Sequence, residues 1–269
     1  MSEEYNFVVN EQPLRISNTS GQDVVDPTRK VLVRDDDMGV LGVVGRNYQV
    51  ISHTDVIDGV DAVLDEKGWN FEKIVYTFDG GSLMRASYKF PDMKFNVTPD
   101  TQLGDYVGFG IDIVNGIGGR AAVRLEIQLL RLVCLNGMKV SDKFYNIYGR
   151  HTASFELIGF RDNVVLAHEH AAQRVIPFYN DLSKTEITEE RSDILINGIV
   201  QTGHNYVPKS YEDAVRSQLK DSDTLTLWAL YNAFTYAITR QSFEEGKVQR
   251  SRKLLQIVDR YFRARHAAL

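Results

Sequence analysis

The chain of 269 residues has one cysteine, Cys134. A lone thiol excludes an intramolecular disulfide framework and a cysteine zinc cluster, and makes a reducing interior the expected setting. No run approaches the ~18 consecutive apolar residues that a membrane-crossing helix needs. The opening stretch MSEEYNFVVNEQPLR is acidic and has no basic-then-apolar export signature. These absences predict a cytoplasmic protein that does not meet a membrane. There are no internal repeats and no low-complexity tract. What is present is ordinary for a globular chain, 43% hydrophobic and 25% charged, enough for one large domain or two modest ones.

The net charge of −5 hides an asymmetry. From Arg240 onward there are eight Lys/Arg against Glu244, Glu245 and Asp259, so a basic tail follows an acidic body. Such a tail suits an anion, either nucleic acid or an acidic neighbouring subunit. It suits equally a solvated helix face.

Pattern along the chain predicts an α+β protein: an N-terminal antiparallel β-hairpin meander with one capped helix, followed by a C-terminal all-helical half. Residues 1–29 lack a sustained period and read as a flexible arm, 30–153 as a β-rich core region, and 154–269 as a helical region packing on it. Within the core region, strands are expected over Lys30–Arg34, Val40–Val44 and Tyr48–Ile51. Ser52 and Asp55 resemble a capping box for a helix that ends at Gly68. Asp79-Gly80-Gly81 joins two strands in a hairpin whose second strand should stop at Pro91. A further hairpin turns at Asn115–Gly119 before Ala121–Cys134, where Val123, Leu125, Ile127 and Leu129 share one side and Arg124, Glu126 and Gln128 the other. A helix over Asp162–Leu182 should kink or divide at Pro177. The helix over Asp223–Thr239 is apolar nearly all round and is expected to be buried, with Asn232 needing hydrogen-bond partners there. The last helix, 243–265, is basic and amphipathic.

Chemistry-bearing residues gather between Gly104 and Phe155. Arg120, Arg124, Arg131, Lys139, Lys143 and Arg150 lie within about thirty residues, interleaved with Tyr145 and Tyr148. A basic groove with aromatic faces on which bases stack is how single-strand binders work. The structural alternative is an exposed strand face whose charges pair with Glu126 and Asp142. Cys134, Asn136 and His151 contain the residue types of a thiol nucleophile set, but Cys134 ends an apolar run and suits a core position. His168 and His170 are two apart on a helix, about 200° around the axis, and cannot share a metal ion. Gly116-x-Gly118-Gly119 links two strands, where a phosphate loop needs a helix after it. It reads as a flexible hairpin tip. No metal, cofactor or catalytic residue is expected.

Several segments together resemble a known family. VRDDDMGVLGVVGRNYQVI, LLRLVCLNGM, Arg150-His151-Thr152 and DTLTLWALYNAFTYAITR are similar, in this order, to the motifs of a family of phage- and plasmid-like proteins of unknown function. The resemblance spans about residues 30–240. Gly137 stands where many members have Thr, and Thr239-Arg240 where a His is common. The resemblance implies an accessory protein of a mobile element and no particular activity. Some phage single-strand annealing proteins share the general plan of a hairpin meander on helices, a likeness of fold alone. The reading that follows is a nucleic-acid-binding protein, with single-stranded DNA as the partner, acting by binding or annealing in recombination or replication, and a homo-oligomer. The alternative is a non-catalytic accessory protein that self-assembles or binds a host protein.

Overall fold

A computed structural model of the chain describes residues 5–17, 19–98, 105–131, 136–139, 146–152, 157–201, 207–220, 224–241 and 244–266. Strands come first and helices second, as the α+β pattern requires. β1 (Val9–Ser17), β2 (Asp23–Arg34) and β3 (Val40–Gly45) form a three-stranded antiparallel sheet in that order. A second, six-stranded sheet has the order β4 (Glu72–Phe78), β5 (Leu83–Asn96), β6 (Tyr106–Gly116), β7 (Val123–Arg131), β8 (Asn136–Lys139), and β9 (Asn146–Gly149) also pairs with β7.

The N-terminal segment expected as a flexible arm supplies β1 and the start of β2. Its burial alternates on neither face, which is why no period was visible, and the register shifts between Pro13 and Arg15, where proline cannot donate to the ladder. Pro91 does not end β5. It falls beyond the last β4 pairing, Glu72 with Lys89, so no β4 partner loses a bond there. Residues 48–51 form no strand among the described residues.

The helix α1 (His53–Glu66) starts as its sequence requires. The Ser52 hydroxyl accepts from the Asp55 amide at 2.9 Å, and Gly68 takes a left-handed conformation (φ 65°) just past the end. Val56, Ile57, Val60 and Leu64 are fully buried, each stabilising the fold by about 1.5–3 kcal/mol. The long helical stretch around Pro177 is divided: α2 (Leu157–His170) passes through a π turn at Ala171–Val175 into α3 (Ile176–Lys184). The wider turn lies directly before the proline, whose ring would otherwise meet the preceding turn of the helix. α4 (Glu189–Gln201), α5 (Glu212–Lys220), α6 (Leu227–Gln241) and α7 (Glu244–His266) complete the chain.

By contacts the chain divides into two compact units. Unit 1 holds Met1–Phe90, Ile111–Leu125 and Asn146–Leu166; unit 2 holds Pro91–Gly110, Glu126–Tyr145 and Ala167–Leu269. In unit 1 a core of Phe7, Leu32, Leu41, Val44 and Ile117 is flanked by Val9, Tyr48 and Val50. Ile117 sits in the turn after β6. That turn is therefore a packing element, against the expectation of a flexible tip. The backbones of Gly42 and Gly118 meet so closely that a Cβ on Gly42 would lie 2.7 Å from the Gly118 carbonyl oxygen.

In unit 2, Tyr179, Trp228 and Tyr231 form an aromatic centre, with the Tyr179 ring 4.8 Å from that of Trp228 and 5.6 Å from that of Tyr231. The Trp228 indole donates to the buried Asp105 carboxylate at 2.8 Å. α6 is buried nearly all round, as its composition predicts. Asn232 departs from expectation: neither polar atom of its buried amide has a hydrogen-bond partner among the described residues.

Candidate nucleic-acid interface

Of the eight residues singled out as nucleic-acid contacts, Arg120, Arg124, Tyr148 and Arg150 belong to unit 1, and Arg131, Lys139, Lys143 and Tyr145 to unit 2. Arg120 follows the β6–β7 turn, is exposed, and faces Asp79 of the neighbouring hairpin tip at 3.7 Å. Arg124 is half-buried on the polar side of β7, beside Glu126 and Gln128, which are buried. Arg131 and Lys139 are placed by backbone pairing, Arg131 opposite Asn136 and Gln128 opposite Lys139. Lys143 and Tyr145 lie outside the described residues, as does Cys134.

Arg150 and Tyr148 are brought to a place that spacing could not reveal. His151 lies against the loop between β3 and α1. Its ring stacks on Tyr48, with centroids 5.0 Å apart and planes at 8°, and its carbonyl accepts from the Gln49 amide at 3.1 Å. The Tyr48 hydroxyl in turn donates to the Gly116 carbonyl at 3.3 Å, and burial pushes that phenol up to about 12. Arg150 precedes His151 in the chain, and Arg46 and Asn47 precede Tyr48, so the stack joins the two short segments that carry these side chains. Neither Arg46 nor Arg150 has an ion pair or side-chain hydrogen bond among the described residues. Tyr148 is 59% exposed.

Arg46 lines an open pocket of about 630 Å³ with Glu11, Lys30, Asn47, Tyr48, Gln49 and Val50. Its lining is polar for the most part, with one acid already engaged: Glu11 pairs with Lys30 at 2.6 Å. The pocket offers guanidinium and amide donors to an anion.

Beneath this surface lies a buried polar cluster. His53 starts α1. Asn115 donates from Nδ2 to the Ile51 carbonyl and to His53 Nδ1, each at 3.0 Å, which leaves His53 Nε2–H to donate to the Gly81 carbonyl at 2.8 Å. The network thus assigns both the amide orientation and the tautomer. Burial drives the His53 pKa down to about 4, with nearby His151 adding to the fall. Burial lowers His151 as well. Both imidazoles are neutral and suited to tie loops together.

His168 packs on the rings of Phe95 and Phe109 at 5.3 and 5.2 Å. Among the described residues no group of three or more His, Cys, Asp or Glu could hold a metal ion, and no helix is long and apolar enough to cross a membrane.

Sequence reasoning missed one surface. The β4 side chains of Ile74, Tyr76 and Phe78 all point to one face and are about half exposed. Arg85 on β5 stands directly opposite Tyr76, and Leu83 opposite Phe78. The segment EKIVYTF is hydrophobic at both parities, so its pattern does not say which face meets water.

A family model described as a domain of unknown function (DUF932) matches residues 40–264. No curated protein and no solved structure matches the chain.

Proposed function

The chain belongs to the DUF932 family, a domain of unknown function, and we propose that it binds nucleic acid, single-stranded DNA first of all, in the recombination or replication of a mobile element. It acts by holding strands, with annealing of complementary strands as the specific form, and without covalent chemistry. The observation that carries this reading is the His151–Tyr48 stack, which joins the segment of Arg150 to that of Arg46, with both guanidinium groups unpaired among the described residues. Arg46 lines the open pocket, Arg150 and Tyr148 are exposed, and two unneutralised cations on joined segments suit phosphates in water.

The test is fluorescence anisotropy of labelled single- and double-stranded oligonucleotides over a salt series. Affinity should fall log-linearly with salt, and Arg46→Ala with Arg150→Ala should reduce the single-strand slope by about 1.4, the contribution of two phosphates. An absence of binding at low salt overturns the reading.

A second reading, a self-assembling or host-protein-binding accessory protein, is favoured by one feature. Ile16 and Val24 face each other across β1 and β2 and are both more than half exposed. Light-scattering mass over a concentration series decides it: a constant monomer mass, together with strong oligonucleotide binding, removes it.

A further inference from the structure

The exposed face of β4 and β5 is organised differently on its two sides. Behind the hairpin, Met84, Ala86 and Tyr88 are fully buried, and α1 is tied on by Asp61, which accepts from the Tyr88 hydroxyl at 2.9 Å and pairs with Lys73. In front, Ile74, Tyr76 and Phe78 are 44%, 51% and 49% exposed. β4 is the edge of its sheet, so among the described residues no strand pairs with its outer side. Apolar and aromatic side chains left half in water in a continuous row mark an interaction surface.

Charge selects the occupant. Arg85 pairs across from Tyr76, and Lys89 stands across from Glu72. Neither Arg85 nor Lys89 has a side-chain hydrogen bond or an ion pair among the described residues. The acids near the face are engaged or at its ends: Ser87 donates to the buried Asp112 at 2.6 Å, Asp79 faces Arg120 at 3.7 Å, and Glu72 lies at the far end of the strand. An aromatic ring beside a free guanidinium suits a base and its phosphate. Spacing selects the strandedness. Residues two apart on a strand are about 6.8 Å apart, twice the ~3.4 Å separating charges along one strand of duplex DNA. Bases resting on Tyr76 and Phe78 are therefore drawn apart, which a stacked duplex does not allow.

We propose that Tyr76 and Phe78 form a base-stacking face for unpaired nucleotides, with Arg85 receiving the intervening phosphate. This rests on the nucleic-acid reading above and adds to it a second contact with a different chemistry: Arg46 and Arg150 hold backbone charge, and the β4 face holds bases.

The experiment uses the full chain and a labelled oligo-dT. Tyr76→Ala and Phe78→Ala should each weaken binding by about 5- to 150-fold, the range for loss of one stacked base, and leave the salt slope unchanged. Tyr76→Phe should keep affinity within about twofold of the parent. Melting temperatures of all three variants should match the parent, since these side chains stand in water. Three results overturn the proposal. Wild-type protein that binds no oligo-dT ends both this inference and the nucleic-acid reading. Binding that survives both alanine variants but falls with Arg46→Ala and Arg150→Ala ends the stacking face alone. A change in oligomeric mass in the alanine variants, with oligo-dT binding intact, reassigns the face to protein contact.

Discussion

Tyr48 lies flat on His151, so a residue just before α1 is clamped to one at the turn after β9. The clamp needs a neutral, buried imidazole, and that need sets how the protein responds to acid. His53 belongs to the same buried group, and His151 lowers its proton affinity further.

Folded His53 holds its proton only below about pH 4, whereas unfolded it does so below its ordinary value of 6.5. The unfolded state therefore binds the proton first as pH falls. The native state keeps its full stability above about pH 6.5 and loses it progressively down to pH 4, by about 3 kcal/mol in total for this residue. Lowered His151 adds loss in the same direction. Urea melts at pH 7.5, 6.0 and 5.0 check this. A His53→Leu variant should be less stable at pH 7.5 but show a shallower decline, and an unchanged slope in that variant would assign the acid sensitivity elsewhere.

Gly118 and Gly119 adopt left-handed conformations (φ 77° and 80°), but only Gly118 is crowded. A Cβ there would lie 2.4 Å from the Leu41 carbonyl oxygen, and one on Gly119 would meet nothing within 4 Å. Gly118→Ala and Gly42→Ala should each destabilise by about 2–4 kcal/mol, and Gly119→Ala by about 1 kcal/mol, the conformational cost alone. Equal losses at 118 and 119 would show that the close backbone approach is not what holds the turn.

Trp228→Phe keeps most of the ring and removes the donor to Asp105. A hydrogen bond to a buried carboxylate contributes about 1.5–3 kcal/mol. Thermal melts should show that loss, and Asp105→Asn alone, which leaves the indole a neutral acceptor, should lose less.

Asn232→Leu runs the other way. Both amide atoms are buried without a partner among the described residues, and replacing such a group by an apolar one of similar size stabilises by about 1–3 kcal/mol. A fall in melting temperature would mean that the amide is hydrogen-bonded in solution.

Local chemistry was legible where one residue's role is decided by its immediate neighbours. The Ser52 cap, the turn at Asp79–Gly81 and the inward row Val123, Leu125, Ile127 and Leu129 all follow from short spacings. β1 was not, because it is polar on both faces and held by pairing with β2. The candidate interface was legible only in part. Arg150 could be named from its charge, but the joining of its segment to that of Arg46 depends on two distant stretches meeting through His151. The polar link between His53 and Asn115 joins residues with no common motif. Tyr76 and Phe78 hide in a strand that is hydrophobic at every position from Ile74 to Phe78 except Thr77.

The insertion of Ile117 among Phe7, Leu32, Leu41 and Val44 also orders events during synthesis. When β1, β2 and β3 have left the ribosome, the residue that seals their core has yet to be made. At ordinary elongation rates several seconds pass before it emerges. Through that interval the nascent sheet presents its apolar side to solvent, and a chain stalled between β3 and Ile117 is the form a chaperone would hold.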